Sequence, residues 1–221
     1  SRNAGSYLDG TLCELIIYDG IPTETEEDQI QTYLAVKYGL TLAGEDYTHS
    51  DGSTVIWDYS SYTAYHNGIA GIGRDDNSGL HQKQSKSANY GTVLTMSTEA
   101  IASTNAANGT SLTDGTYLLW GHNNSSSSGY ADLPTGGGYT GRLQKEWVVE
   151  MTGTVSNIHV EFDLSDAHLN LAGDAASDFY LLTDADGNFT SGATATAATS
   201  FLGNKVTFDD FNFSDGQYFT L

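Results

Sequence analysis

The stretch from Tyr180 to Phe189 places three oxygen-bearing side chains directly after an apolar run. It reads YLLTDADGNF, with Asp184, Asp186 and Asn188 at alternate positions and Gly187 among them. Ca²⁺ takes about six to eight oxygen ligands, so carboxylates and an amide beside a glycine that permits a tight bend suit this ion. The same residue types also make ordinary polar turns. The spacing predicts a calcium site at the end of a buried strand, with a plain turn as the alternative.

This loop differs from an EF-hand. Gly187 is the fourth residue counted from Asp184, whereas an EF-hand has its glycine at the sixth, and no Glu stands at the twelfth position. Further acidic residues precede the loop, and Asp174 and Asp178 are the nearest of them. We expect Asp178 to be an additional calcium ligand.

A second acidic cluster follows a glycine-rich apolar run, in the order Arg74, Asp75, Asp76, Asn77. Adjacent side chains of an extended chain point to opposite faces, so Asp75 and Asp76 serve one ion only across a turn. One interpretation is a second calcium site in which Arg74 anchors a carboxylate of the ligand and Asn77 contacts it. The alternative is an ion pair between Arg74 and an aspartate that braces a loop. The residues alone leave both open.

A third polar group consists of His122, Asn123 and Asn124, which follow the apolar run Leu118–Trp120. These residues begin a long loop rich in serine and glycine, and loops often carry binding residues. We therefore expect them to line the rim of a ligand site.

The composition limits the possible partners. The chain has 221 residues and a formal net charge of −20, with only eight Lys and Arg. Such a charge disfavours nucleic acid and anionic membranes as partners, and bound cations would relieve the repulsion among the carboxylates. Charged residues make up 16% and aromatic residues 11%, which is typical of a folded chain rather than a disordered one. There is no apolar stretch of transmembrane length and no signal peptide.

The predicted elements are one helix and many short strands. Thr11–Tyr18 is expected to be a strand with Cys13 buried in it, and a capping box at Thr23 and Glu26 predicts a helix over about residues 24–38 that ends at Gly39. Ile30, Tyr33, Leu34 and Lys37 recur in that helix at helical spacing. Further strands are predicted at 54–57, 69–73, 92–96, 117–120, 145–152, 158–164, 179–183, 205–208 and 218–221. The pattern predicts an all-β fold, a calcium-stabilised β-sandwich with one N-terminal amphipathic helix.

Several sequence blocks resemble known bacterial surface modules. DGTLCELIIYDG with the helix ending in YLAVKYGLTL resembles the last strand and trailing helix of laminin-G/concanavalin-like modules. The stretch from Asp51 to Ser87, the block LLWGHN and the ending DGQYFTL resemble the domain that follows such a helix in giant repeat-in-toxin adhesins. The resemblance implies an extracellular, calcium-dependent β-sandwich on the cell surface, a monomeric module within a larger chain. Some such modules bind peptides through their C-terminal carboxylate and a bound calcium ion, and others bind glycans.

We therefore expect residues 1–39 to be a terminal strand and helix, either the tail of another unit or a split part of this fold, and residues 40–221 to be the binding domain. The expected function is Ca²⁺-dependent adhesion to a peptide or glycan, with a calcium-binding spacer as the first alternative. A hydrolase is the second alternative. No serine-hydrolase, zinc-protease or phosphate-loop motif is present, and strand alternation accounts for Glu146, Glu150 and Glu161. We expect no enzymatic activity.

Overall fold

Two antiparallel β-sheets form the body of the protein in the computed structural model, which describes residues 10–127, 132–167 and 169–221. The single α-helix of these ranges is α1, Glu24–Tyr38. The strands are β1 (Tyr47–Thr48), β2 (Val55–Trp57), β3 (Asn67–Asp75), β4 (Leu80–Gln82), β5 (Gln84–Lys86), β6 (Leu94–Ser97), β7 (Tyr117–His122), β8 (Trp147–Thr152), β9 (Ile158–Asp163), β10 (Tyr180–Asp184), β11 (Thr194–Ala197), β12 (Ser200–Leu202), β13 (Lys205–Phe211) and β14 (Tyr218–Thr220).

The larger sheet has seven strands in the order β11-β10-β14-β8-β7-β3-β4, and the smaller has five in the order β12-β13-β9-β6-β5. Strands β1 and β2 pair separately with each other. Period-two alternation gives the larger sheet two apolar faces, since Trp147 and Val149 face the smaller sheet while Val148 faces outward. The prediction of an all-β, sandwich-like fold with one helix is confirmed.

The main core lies between the two sheets and is rich in aromatic side chains. Trp147 on β8 stacks on Phe219 of β14 with a centroid distance of 5.7 Å. It meets Phe162 on β9 of the smaller sheet edge to face at 5.4 Å. All three side chains are 1% exposed or less. Aromatic residues bury large areas with defined ring geometry, so this contact fixes how the two sheets pack.

A second apolar cluster covers the outer face of the larger sheet. Ala35 and Val36 of α1 pack there with Tyr47, Ile56 and Trp57 from the β1–β2 pair. Of the two alternatives for residues 1–39, this packing favours helix α1 as part of the same fold. The helix has 15 residues, and no helix in the described ranges is long and apolar enough to cross a membrane.

The helix begins and ends where the sequence predicts. Thr23 accepts a hydrogen bond from the backbone N–H of Glu26, whose carboxylate in turn accepts from Thr23. Gly39 ends the helix with φ +64°, and a Cβ there would collide with the backbone of Lys86. The face that is fully buried differs from the predicted one. It consists of Thr32, Ala35 and Val36, because small side chains let the helix approach the sheet closely.

The expected strand at Thr11–Tyr18 is wrong, since residues 11–18 form no β-ladder with any described part of the chain. Leu15 is 70% and Ile17 84% exposed, and Cys13 is exposed rather than buried. Strand conformation is stabilised by a pairing neighbour. The segment instead lies against α1 through Glu14, whose carboxylate binds Lys37 Nζ at 2.9 Å.

Candidate functional site

The loop that follows β10 is a run of side chains folded back onto their own backbone. The Oδ1 atom of Asp184 accepts the N–H of Asp186 at 2.8 Å. Asp186 accepts the N–H of Asn188 in the same way at 2.9 Å, and Asn188 accepts that of Thr190 at 3.2 Å. Gly187 allows the bend with φ +78°. In each side chain, one oxygen thus accepts a backbone N–H and stabilises the turn. The remaining lone pairs can still accept a hydrogen bond or bind a cation.

The two carboxyl groups of this loop interact with each other and have no basic partner. Asp184 is 5% exposed. No Lys, Arg or His nitrogen in the described ranges lies within 4 Å of Asp184 or Asp186. The pKa of Asp186 is lowered first by the N–H of Asn188 and then by hydrogen bonding with the Asp184 carboxyl. Two adjacent carboxylates repel one another unless a proton or a cation lies between them.

This donor set fits Ca²⁺ in its chemistry but supplies only part of a shell. The side-chain donors are two carboxylates and one amide, all oxygen, as calcium prefers. Across the part of the chain that the structure describes, there is no cluster of three or more His, Cys, Asp or Glu that would hold a metal. A calcium ion at Asp184, Asp186 and Asn188 would therefore complete its shell with backbone carbonyls and water.

A buried arginine packs against the residue that directly follows this loop. The guanidinium of Arg142 lies 4.7 Å from the centre of the Phe189 ring, and Phe189 is fully buried. Arg142 pairs with Glu146 at 2.7 Å and with Asp132, which accepts a hydrogen bond from Thr190 at 3.2 Å. The side chain of Arg142 is 1% exposed. Its charge is thus used by Asp132 and Glu146 and does not reach Asp184.

Tyr65 connects this cluster to the outer face of the larger sheet. Its hydroxyl donates to Glu146 at 2.9 Å, and its ring contacts that of Tyr218, the strand partner of Asp184. Burial, followed by the hydrogen bond to Glu146, raises the pKa of Tyr65. Sequence reasoning missed Asp132, Arg142 and Tyr65 as supports of the loop. The sequence feature that could have indicated them is the small number of basic residues. With eight Lys and Arg against 28 Asp and Glu, each basic residue has several acidic residues with which it could form an ion pair.

Asp178 lies away from the loop at Asp184–Asn188. It precedes β10, whereas Asp184 ends that strand, and the five residues of the strand span about 13 Å. The Oδ2 atom of Asp178 accepts the N–H of Ala175 at 2.8 Å in a short 3-10 turn. The structure therefore does not bring Asp178 together with Asp184.

The turn between β3 and β4 separates its two aspartates. Asp75 is 4% exposed and accepts hydrogen bonds from Ser50 Oγ at 2.7 Å and from the backbone of Asn77 at 3.1 Å. Asp76 points the other way and binds the guanidinium of Arg74 at 2.7 and 3.0 Å. Asp75 and Asp76 therefore do not serve one ion. Of the two interpretations left open by the sequence, the geometry favours an ion pair that braces the loop.

The environment of Asp75 keeps it ionised. Burial pushes its pKa up, but hydrogen bonds from Ser50 and Ser78 and the nearby His49 outweigh this effect, and the pKa lies below the usual value. His49 Nδ1 lies 3.5 Å from Asp75 and 2.8 Å from the hydroxyl of Tyr117. Asp75 is thus a buried, fully partnered carboxylate.

His122, Asn123 and Asn124 form the connection that leaves β7. His122 Nδ1 accepts the N–H of Asn124 at 3.0 Å, and Asn124 has a positive φ of 58°. Burial, followed by the charge of Lys145, lowers the pKa of His122 to about 4, so its ring is neutral. Asn123 Oδ1 accepts the N–H of Glu146 at 3.1 Å. The Asn123 side chain thus holds the segment that leads into β8, and the His122 ring holds the backbone of its own loop.

The two expected ligand loops lie at opposite ends of the larger sheet. Strand β3 pairs with β7 so that Gly73 lies opposite Tyr117 and Asn67 opposite His122. Arg74 therefore lies beside the start of β7, whereas His122 lies at its end. Six residues of strand separate these ends by about 17–20 Å. Arg74 and Asn77 therefore do not share one ligand site with His122–Asn124. Asn123 of the latter group is linked through Glu146 to Arg142, which packs against Phe189 directly after the loop at Asp184–Asn188.

Comparison with known proteins adds one result. A family model described as a domain of unknown function (DUF8202) matches residues 26–217. The chain belongs to this family. The family match spans the elements from α1 to β13 and includes all the candidate residues, but it leaves out the unpaired segment 11–18. No curated protein and no solved structure matches the chain.

Proposed function

We propose that the chain is an extracellular, calcium-dependent binding module of a large bacterial surface adhesin, which binds a peptide or a glycan. The observation that carries the proposal is the buried Asp184 carboxyl, which meets Asp186 without any basic side chain within 4 Å in the described ranges. A divalent cation is the natural partner for such a pair in a chain of net charge −20. The resemblance of its sequence blocks to adhesin modules supports the extracellular setting.

Calcium at this loop would act as a brace. Asp184, Asp186 and Asn188 would hold the ion, and Phe189 and Thr190 directly follow them and contact Arg142 and Asp132. Binding of an ion to the folded state stabilises it by mass action. Extracellular calcium modules bind with Kd values of about 10⁻⁴ to 10⁻³ M. The calcium site would therefore be occupied outside the cell and empty in the presence of a chelator.

A structural spacer that binds calcium but no external ligand is the alternative. The two differ in a peptide and glycan array probed with and without Ca²⁺. The binder gives a specific set of signals in millimolar Ca²⁺ that disappears with EDTA and with the Asp184→Asn variant. Asp28→Asn removes the same charge from the exposed start of α1 and should keep the signals. A blank array with a protein that still binds calcium would establish the spacer.

A hydrolase is not favoured by its expected acids. Glu146 pairs with Arg142 at 2.7 Å and Glu161 with Lys205 at 2.7 Å. Glu150, the third of these acids, accepts the backbone N–H of Asp58 at 2.7 Å, so each of the three carboxylates has a structural partner. We therefore propose a binding role without catalysis.

A further inference from the structure

A cleft opens beside the start of β10, away from the calcium loop. It has a volume of about 730 Å³ and lies between the glycine-rich segment 137–141 and the segment that leads into β10. Leu143, Leu164 and Leu182 form part of its lining. None of the residues predicted as ligand contacts lies in it. A cleft of this size accepts a long side chain together with the backbone on either side.

Two tyrosines form an aromatic wall of the cleft. The rings of Tyr139 and Tyr180 meet edge to face with a centroid distance of 5.4 Å, and both residues are partly exposed. Their mutual contact holds both rings in place before a ligand arrives. Gly136 and Gly138 have φ of +88° and +68°, so this rim adopts a backbone that other residues avoid.

Two acidic side chains also line the cleft. Asp174 and Asp178 are exposed, and neither lies within 4 Å of a basic nitrogen in the described portion of the chain. Asp178 engages one oxygen with the N–H of Ala175 and keeps the other for a ligand. The carboxyl groups therefore present acceptors to whatever enters.

Arg142, the one basic residue among the described residues that line the cleft, already has hydrogen-bond partners. Arg142 donates from Nε to the carbonyl of Asp132 at 2.7 Å and from Nη1 to that of Leu143 at 2.8 Å. Its Nη2 binds the carboxylates of Asp132 and Glu146. Being almost fully buried as well, Arg142 does not offer a charge to an anionic ligand. Among the lining residues that the structure describes, the cleft thus combines aromatic faces and carboxylates with no free cation.

These features are complementary to an organic cation. A guanidinium stacks on a tyrosine face and donates parallel hydrogen bonds to a carboxylate, while its aliphatic stem suits a leucine floor. The net charge of −20 attracts a cation over a distance and repels phosphate, sulfate and carboxylate ligands. A neutral sugar gains nothing from this field.

We propose that the cleft at Tyr139, Asp174, Asp178 and Tyr180 binds an arginine side chain of a basic peptide segment. This inference rests on the proposed function only in taking the domain to be a binding module. It places the peptide site at the start of β10, about 13 Å along that strand from Asp184. Calcium supports the cleft indirectly, because Arg142 contacts Phe189 and also lines the cleft.

The test is calorimetric titration of the full chain in millimolar Ca²⁺ with acetyl-Gly-Arg-Gly-amide. The same peptide with citrulline keeps the shape and removes the charge. We expect the arginine peptide to bind at least about tenfold more tightly than the citrulline peptide, which is a difference of about 1.4 kcal/mol. Its affinity should fall as the salt concentration rises, since the cleft is open to solvent.

Matched variants locate the site. Asp178→Asn keeps the oxygen that accepts from Ala175, so the turn holds, and should weaken the arginine peptide severalfold. Asp28→Asn removes one charge elsewhere and should leave the affinity unchanged. Tyr139→Leu removes an aromatic face and should weaken binding by about two- to fivefold.

Equal affinity for the arginine and citrulline peptides, or no binding of either, would overturn the inference. So would full affinity in Asp178→Asn, or a methyl glucoside that binds more tightly than the arginine peptide. These outcomes do not contradict the proposed calcium site, because the melting temperature measured with and without Ca²⁺ tests the loop at Asp184 independently. Array signals on peptides without arginine would support the proposed function and contradict this site.

Discussion

Two turns of this protein contain similar acidic residues at the end of a strand, and they differ in whether the acids have partners. In the turn after β3, Asp76 binds Arg74 and Asp75 binds Ser50 and lies near His49. In the loop after β10, Asp184 and Asp186 meet each other and no basic side chain of the described ranges. The first turn is complete without a metal, whereas the second is the one at which we propose that a cation binds.

The difference arises from spacing. Adjacent acids such as Asp75 and Asp76 point to opposite sides of the chain and find separate partners. Asp184 and Asp186 stand at alternate positions, and their carboxyl groups interact with each other instead.

The largest effect is expected from the buried arginine that neighbours the loop. Arg142→Met would remove the buried cation that pairs with Glu146, whose side chain is 15% exposed, and with Asp132, whose side chain is 35% exposed. We expect a loss of about 3–5 kcal/mol in the free energy of unfolding, measured by urea denaturation. A loss below about 1 kcal/mol would show that Asp132 and Glu146 are also tolerated without a cation. It would weaken the contrast between acids that have a basic partner and acids that have none.

Asp75 tests the partnered turn. Asp75→Ala leaves Ser50 and the backbone N–H groups of Asn77 and Ser78 without their acceptor, and we expect a cost of about 1–3 kcal/mol. The lowered pKa of Asp75 means that its stabilisation is present above the unfolded pKa of about 4 and is lost as the pH falls through the folded value. Stability measured between pH 6 and pH 3 should therefore fall less in the variant.

Calcium provides the control for that variant. The cost of Asp75→Ala should be the same in Ca²⁺ and in EDTA, because its partners are side chains and backbone groups. A calcium-dependent cost would mean that the turn after β3 holds an ion after all.

The sequence predicted much of this architecture because the long elements carry strong local signals. The helix at 24–38 is marked by its capping box and by Gly39, and the apolar runs predict β7, β8 and β9. The short strands β4, β5, β11 and β12 have weak patterns of their own and exist because neighbouring strands pair with them. Thr11–Tyr18 shows the reverse, a strong strand pattern without a partner in the described fold.

Site residues were harder to predict because side-chain partners come from distant parts of the chain. His122 follows an apolar run as a loop residue would, yet packing against Gly68 buries it. Arg142 is 47 residues from Phe189 in sequence, and only the fold brings their side chains together. The turn at Asp184 and Asp186 was easier to predict, because its hydrogen bonds join residues two apart in the sequence.

Glu150 extends the comparison to another carboxyl for which the described residues provide no basic nitrogen within 4 Å. Burial, with the charges of Asp215, Asp58 and Asp46, raises its pKa to about 7 against a hydrogen bond from the N–H of Asp58. A raised carboxyl pKa means that the folded state binds the extra proton, so stability falls as the pH rises from about 4.3 to 7.

Glu150→Gln keeps an acceptor for Asp58 and removes this titration. We expect the variant to be more stable than the parent chain by about 1–2 kcal/mol at pH 8 and nearly equal to it at pH 5. Denaturation at both pH values gives the comparison. A constant difference between them would contradict the raised pKa.

The smallest effect is expected at the exposed ion pair of Arg74 and Asp76. A double-mutant cycle with Arg74→Ala and Asp76→Ala should give a coupling of about 0.2–1 kcal/mol that shrinks in high salt. A coupling above about 2 kcal/mol would make this pair as important as the buried groups.

The measurement that tests the central claim most directly is thermal melting in EDTA and in about 10 mM Ca²⁺. With a Kd of about 0.1–1 mM, the ion adds about 1.4–2.7 kcal/mol, which is about 3–10 °C in Tm for a chain of this size. Asp184→Asn should abolish the rise. Asp178→Asn removes the same charge near the other end of β10 and should keep it, which separates specific binding from general screening. An equal Tm in EDTA and Ca²⁺, or an equal rise in Asp184→Asn, would contradict the calcium site.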